Sequence, residues 1–102
     1  MLRRRHGHSA NGVYLDLEVI DDLQDRLARI EGHVRGVRKM LDERRNCDDI
    51  ATQVAGVDAA LRQVAIVLLR GHLDACVAQM MSAGPNPAQM ERLKNTLTRV
   101  LK

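Results

Sequence analysis

The sequence predicts an all-α fold: a three-helix protomer, with long first and second helices and a short third, forming an antiparallel four-helix-bundle dimer. Three observations carry this. Apolar residues recur three and four apart over most of the chain, the period of one helix face. Phe and Trp are absent and Tyr14 is the single aromatic in 102 residues, so a core must come from Leu, Val, Ile, Met and Ala. Such a core is thin for a monomer of this size, and a second copy is expected to supply the missing burial.

Each element has its own signal. Residues 1–14 read as a flexible N-terminal arm, because His6-Gly7-His8-Ser9-Ala10-Asn11-Gly12 is small and polar with no apolar period. Residues 15–102 read as a single helical domain. From Ile20 the stripe Ile20, Leu23, Leu27, Ile30, Val34, Val37 and Leu41 marks the first helix. Asp16, Glu18, Asp21 and Asp22 near its start suit the helix dipole. Gly32 and Gly36 are expected to admit a neighbouring helix closely. Arg44-Arg45-Asn46-Cys47 reads as a short connection, and Asp48 or Asp49 can cap the second helix. That helix runs through Ile50, Val54, Val57, Leu61, Val64, Leu68, His72 and Cys76 to about Ser82-Ala83-Gly84-Pro85. Asn86-Pro87-Ala88-Gln89 then has the form of an N-cap, a first-turn proline and a capping-box partner. Met90, Leu93, Leu97 and Val100 or Leu101 give the third helix its apolar side.

Composition narrows the function. A formal charge of +3 permits nucleic-acid binding. The lack of aromatics argues against modules that stack single-stranded bases. No stretch reads as apolar enough to span a membrane and no secretory signal is visible, so a cytoplasmic protein is expected. In that reducing compartment the two cysteines are expected as thiolates rather than a structural disulfide. No acid–base pair or nucleophile triad is visible, and an enzyme is not expected.

The chemistry concentrates on Cys47, His72 and Cys76. His72 and Cys76 lie four residues apart, one turn along one helix face. Cys47 lies at the start of the same run, roughly 35 Å or more from His72 at the helical rise. One protomer cannot bring the three together, but an antiparallel second copy can. A two-fold axis near Ala60 and Leu61 would equate positions summing to roughly 121. Two thiolates and one imidazole make a soft site suited to Cu(I) or Zn(II).

Other signals have plainer readings. His33, on the polar side of the first stripe, is expected to be solvated or hydrogen-bonded. His6 and His8 read as surface residues that can add nickel or cobalt affinity. Met40, Met80, Met81 and Met90 fall at or near core positions, so packing accounts for them. Arg26, Arg29, Arg35, Arg38, Lys39 and Arg45 lie away from the apolar stripe. Alone they are a solvated face; repeated in an oligomer they suit a phosphate backbone.

Four segments carry a family resemblance: Arg26-Leu27-Ala28-Arg29-Ile30-Glu31-Gly32-His33-Val34-Arg35-Gly36-Val37, then Cys47-Asp48-Asp49-Ile50, then Gln53-Val54-Ala55-Gly56-Val57, then His72-Leu73-Asp74-Ala75-Cys76-Val77. From about Leu23 to Val77 the chain resembles the copper-sensing operon repressor family, CsoR, and its nickel/cobalt relatives of RcnR type. The resemblance implies an all-α repressor without a helix-turn-helix, assembled as a homodimer or a homotetramer built from antiparallel dimers. It implies Cu(I) on Cys47, His72 and Cys76, with Zn(II) or Ni(II) as alternatives. It implies that the apo form binds operator double-stranded DNA through Arg26, with Arg29, Arg35 and Arg62 on the same basic surface, and that metal releases it. A supporting glutamate on the third helix would be Glu91, and Gly71 would let the second helix bend. Copper members often carry Tyr before the first Cys, where this chain has Asn46. Nickel/cobalt members add a His near the position of Leu15, which cannot bind metal. Persulfide sensors keep both cysteines without the His, and formaldehyde sensors use the first Cys with an N-terminal amine. A cytosolic copper buffer or chaperone would share the site without needing the basic face.

Overall fold

The computed structural model describes residues 12–102. His6, His8 and most of the expected arm lie outside the described residues. Among those described there are three α-helices and no strand: α1 (Leu17–Asp42), α2 (Cys47–Ala83) and α3 (Pro87–Leu101). The all-α expectation and the long, long, short order both hold. The described chain divides into two compact units, one of residues Leu17–Leu68 and one of Leu69–Lys102 with residues 12–16.

In the first unit α1 pairs with the leading part of α2. Leu23, Ile30 and Val37 are buried at a seven-residue spacing, the seam of an antiparallel hairpin. His33 Nε2 donates to Gln53 Oε1 across the pair at 2.8 Å. The close approach falls at Gly56, where a Cβ would sit 3.1 Å from His33 Cε1. It does not fall at Gly32 or Gly36, where the sequence pattern places it. Gly36 has nothing within 4 Å, and Gly32 meets only the Arg35 guanidinium at 3.6 Å. Both lie off the 23–30–37 line that faces α2.

The connection between α1 and α2 is built from backbone bonds. Arg45 N–H donates to the Met40 carbonyl at 3.0 Å and Arg44 N–H to the Leu41 carbonyl at 3.1 Å, the paired bonds of a Schellman motif. Arg44 takes the left-handed position with φ 55°. Asn46 Oδ1 then accepts from Asp48 N–H at 2.8 Å, so Asn46 is the cap and Cys47 the first helical residue. The cap is thus not Asp48 or Asp49, the residues the sequence favours. Those carboxylates instead fill the first turn, where negative charge suits the dipole.

In the second unit Leu69, Cys76 and Leu93 form the apolar interior. Gly84 (φ 90°) closes α2, and Gly84 N–H donates to the Met80 carbonyl at 2.9 Å. Asn86 caps α3 by accepting from Gln89 N–H at 3.1 Å, with Pro87 in the first turn, as the sequence indicates. The Gln89 side chain does not complete the box. It is buried and donates to Gln79 Oε1 at 2.7 Å.

Many large apolar side chains stay exposed: Leu17, Leu41, Val54, Leu61, Leu73 and Val77 among them. Met40 and Met80 are half-buried, but Met81 is 82% exposed, so packing within the chain does not explain it. By length and composition alone α2 is also apolar enough to cross a membrane, its most apolar 18-residue window having a mean hydropathy of 1.4, a test that a core helix of a soluble protein also passes. This overturns the sequence reading of that run. The reason is that α2 carries apolar residues on two flanks, Val54, Leu61 and Leu68 on one and Ile66, Leu73 and Val77 on another.

Holding Arg44 left-handed costs about 1 kcal/mol that glycine would not incur. Arg44→Gly is therefore expected to raise the urea midpoint of the apo protein by an amount equivalent to roughly 0.5–1 kcal/mol. An unchanged or lower midpoint would show that the arginine side chain compensates.

Candidate metal centre

α2 positions all three candidate ligands. Cys47 is its first residue and is exposed, at the positive end of the helix dipole. In the turn that precedes it, Glu43 pairs with Arg45 at 3.6 Å and with Lys39 at 4.0 Å. His72 is half-buried, and Cys76, one turn on, is only 1% exposed. Both cysteines are free thiols. Gly71 is buried and α2 passes through it without a break.

Ideal-helix arithmetic separates Cys47 from the other two candidate ligands of its own chain. At 1.5 Å per residue His72 lies roughly 37 Å along the axis and Cys76 roughly 43 Å. Consistently, no three His, Cys, Asp or Glu side chains come together as a metal site among the described residues. Direction is another matter. At 100° per residue Cys47, His72 and Cys76 leave an ideal helix within an arc of about 40°. Val54, Leu61 and Leu68 extend that arc to about 80°. All three of these apolar residues are exposed in the chain.

The donor chemistry fits a soft cation. Two sulfurs and one imidazole suit Cu(I), and Zn(II) with a further ligand. Burial pushes the Cys76 thiol up, so ligation there must displace a firmly held proton.

The remaining candidates take varied positions. Arg29, Arg35 and Arg62 are exposed. Arg26 is half-exposed, and its Nε lies 3.0 Å from Asp22 Oδ1. Glu91 is exposed and pairs with Lys94 at 3.6 Å. The buried polar residue of α3 is Gln89, which the sequence marks only as a cap partner. Its place between Asn86 and Leu93, on the inward face of α3, is the available signal. His33 is hydrogen-bonded, in line with its sequence reading.

Comparison with known proteins gives a consistent result. The sequence pattern of the family described as metal-sensitive transcriptional repressor matches residues 20–99. The copper-sensing transcriptional repressor RicR of Mycobacterium tuberculosis is 44% identical over 64 residues, 63% of this chain and 67% of that protein. The copper-sensing transcriptional repressor CsoR of Bacillus subtilis is 37% identical over 82 residues, 80% of this chain and 81% of that protein. Among solved structures, the copper-sensing repressor CsoR with Cu(I) from Geobacillus thermodenitrificans aligns with a TM-score of 0.78 at 36% identity, covering 92% of this chain and all of that one. The nickel-responsive transcriptional regulator InrS aligns with a TM-score of 0.72, also at 36% identity, covering 93% of this chain and 99% of that one.

The buried thiol sets a pH dependence. The folded chain holds the Cys76 proton to higher pH than the unfolded chain does. The associated stability is complete below the ordinary thiol range, near ~8.5, and is lost as pH rises through the raised folded value. Between about pH 8 and pH 10 the urea midpoint of apo protein should fall more steeply for wild type than for Cys76→Ala. Parallel slopes would mean that Cys76 titrates freely in the fold.

Proposed function

Because the chain belongs to the metal-sensitive transcriptional repressor family, we propose that it is a cytoplasmic repressor that binds operator DNA in its apo form and releases it on binding Cu(I). The observation that carries this is α2, an unbroken helix with a thiol, an imidazole and a second thiol on one side. Two antiparallel copies of α2 bring Cys47 of one protomer to His72 and Cys76 of the partner subunit. The two-fold then passes near Ala60 and Leu61, where Ala59 and Ala60 permit close helix approach. The exposed flank Val54, Leu61 and Leu68 lies along that contact and gains the burial it lacks in the single chain. Cu(I) held there supplies a cross-link between protomers. By linkage, the factor by which metal weakens DNA binding is the factor by which DNA weakens metal binding.

The basic residues support the DNA half of the reading. Acidic residues gather in the first turns of α1, at Glu18, Asp21, Asp22 and Asp25, while Arg26, Arg29, Arg35, Arg38 and Lys39 come after them. A dimer or tetramer repeats this basic stretch at fixed spacing, a pattern that suits phosphates.

Likeness to InrS at the same identity supports a second reading, a nickel-responsive repressor. The donor set favours copper. Two thiolates and an imidazole satisfy three-coordinate Cu(I), whereas Ni(II) takes more nitrogen or oxygen ligands.

On a fluorescent duplex from the region upstream of its own gene, Arg26→Ala and Arg62→Ala should each weaken apo binding about tenfold and reduce the salt slope by about one. Helix content and Cu(I) uptake should not change. Wild-type affinity in both variants would remove this surface from the reading. X-ray absorption of the copper form should show two sulfurs and one nitrogen. A four- or six-coordinate nickel form that binds more tightly and frees the duplex would contradict the copper assignment.

A further inference from the structure

The bond between His33 and Gln53 differs in kind from its neighbours. The ion pairs Arg26–Asp22, Lys39–Glu43 and Arg45–Glu43 close within one helix or its turn, as does the Thr52 hydroxyl bond to the Asp48 carbonyl. His33–Gln53 crosses from α1 to α2, part-buried, at 2.8 Å. The seat for the ring is specific. Gly56 lies three residues after Gln53 on α2, and a Cβ there would press on His33 Cε1 at 3.1 Å. Glycine inside a helix costs helix stability, and here its absent side chain is the space the imidazole uses.

Position along the two helices gives the bond a consequence. His33 stands between buried Ile30 and Val37, on the helix that carries Arg26, Arg29 and Arg35. Gln53 stands six residues after Cys47 on α2. Apolar contact between two helices is non-directional and tolerates small shifts. A hydrogen bond of this length does not, because it weakens steeply as its geometry changes.

We propose that His33 is a positioning residue: its bond to Gln53, seated over Gly56, fixes α1 against the Cys47 segment of α2, so that ligation at Cys47 moves the basic helix. This rests on the repressor reading for its purpose, but not for its test. Without the bond the two helices still pack, and the copper site still forms. Copper binding then no longer reaches Arg26, Arg29 and Arg35.

The test measures amide hydrogen exchange over residues 26–39 with and without Cu(I), beside fluorescence anisotropy on the duplex from upstream of its own gene. In wild type, Cu(I) should change exchange in this stretch several-fold and weaken duplex binding. The His33→Leu/Gln53→Leu double variant removes both polar partners, so neither is left buried and unpaired. It should melt near the wild-type temperature and bind Cu(I) with the wild-type absorption band, yet lose the copper-dependent change to within about twofold in both assays. His33→Gln keeps an N–H donor and should keep both responses. Gly56→Ala, which displaces the ring, should diminish them. A double variant that responds to copper as wild type does, or a wild-type α1 whose exchange ignores copper, overturns the assignment. If wild-type exchange responds and the double variant does not, while the duplex is never released, the repressor reading fails and the role of His33 stands.

Discussion

A straight helix cannot fold back on itself, and α2 runs 37 residues without a break. This one constraint organises the rest of the molecule. Over 25 residues of ideal helix, Cys47 and His72 fall roughly 37 Å apart yet on nearly the same face. On the proposed reading, a site made from these candidate ligands is completed by another chain. The thin interior points the same way. Among the described residues, Leu23, Ile30 and Val37 in one unit, and Leu69, Cys76 and Leu93 in the other, are the buried apolar side chains. Val54 and Leu61 remain about half-exposed on the flank that carries the candidate ligands. Burying such side chains is worth about 1.5–3 kcal/mol each, so in the proposed dimer, pairing and site formation would draw on one surface.

The polar groups divide between anchoring and exposure. Asn46 and Asn86 cap α2 and α3, and each cap fixes where its helix begins. Capping by Asn46 rather than Asp48 makes Cys47 helical and puts its sulfur at the positive helix end. Buried Cys76 has the opposite environment, with desolvation pushing its thiol up. A metal joining them would replace a proton on the buried sulfur and gain an exposed one from a second chain.

Most of the fold is legible in the sequence because it depends on period and caps. The stripe from Leu23 to Val37 and the Asn86-Pro87 signal locate α1 and the start of α3 without reference to contacts. The features that escape the sequence depend on neighbours. Gly32 and Gly36 look like contact glycines, but only packing shows that Gly56 is the one under a ring. Gln89 has the pattern of a capping box, yet its amide turns to Gln79 because α2 lies within reach. Met81 falls in an apolar run, but among the described residues it stays largely exposed. The spacing of Cys47, His72 and Cys76 is what nominates them in the sequence, and His33 is readable as hydrogen-bonded though not as a link to Gln53.

Chain mixing tests the central claim most directly. A Cys47→Ala chain and a His72→Ala/Cys76→Ala chain are each loaded with Cu(I), alone and after subunit exchange, and the copper–thiolate absorption is read. Neither chain alone should form an intact site. The mixed dimer should recover one of its two sites, since one end pairs wild-type Cys47 with wild-type His72 and Cys76. If subunits demonstrably exchange and no site returns, α2 must break between Cys47 and His72, and the site is not shared between chains.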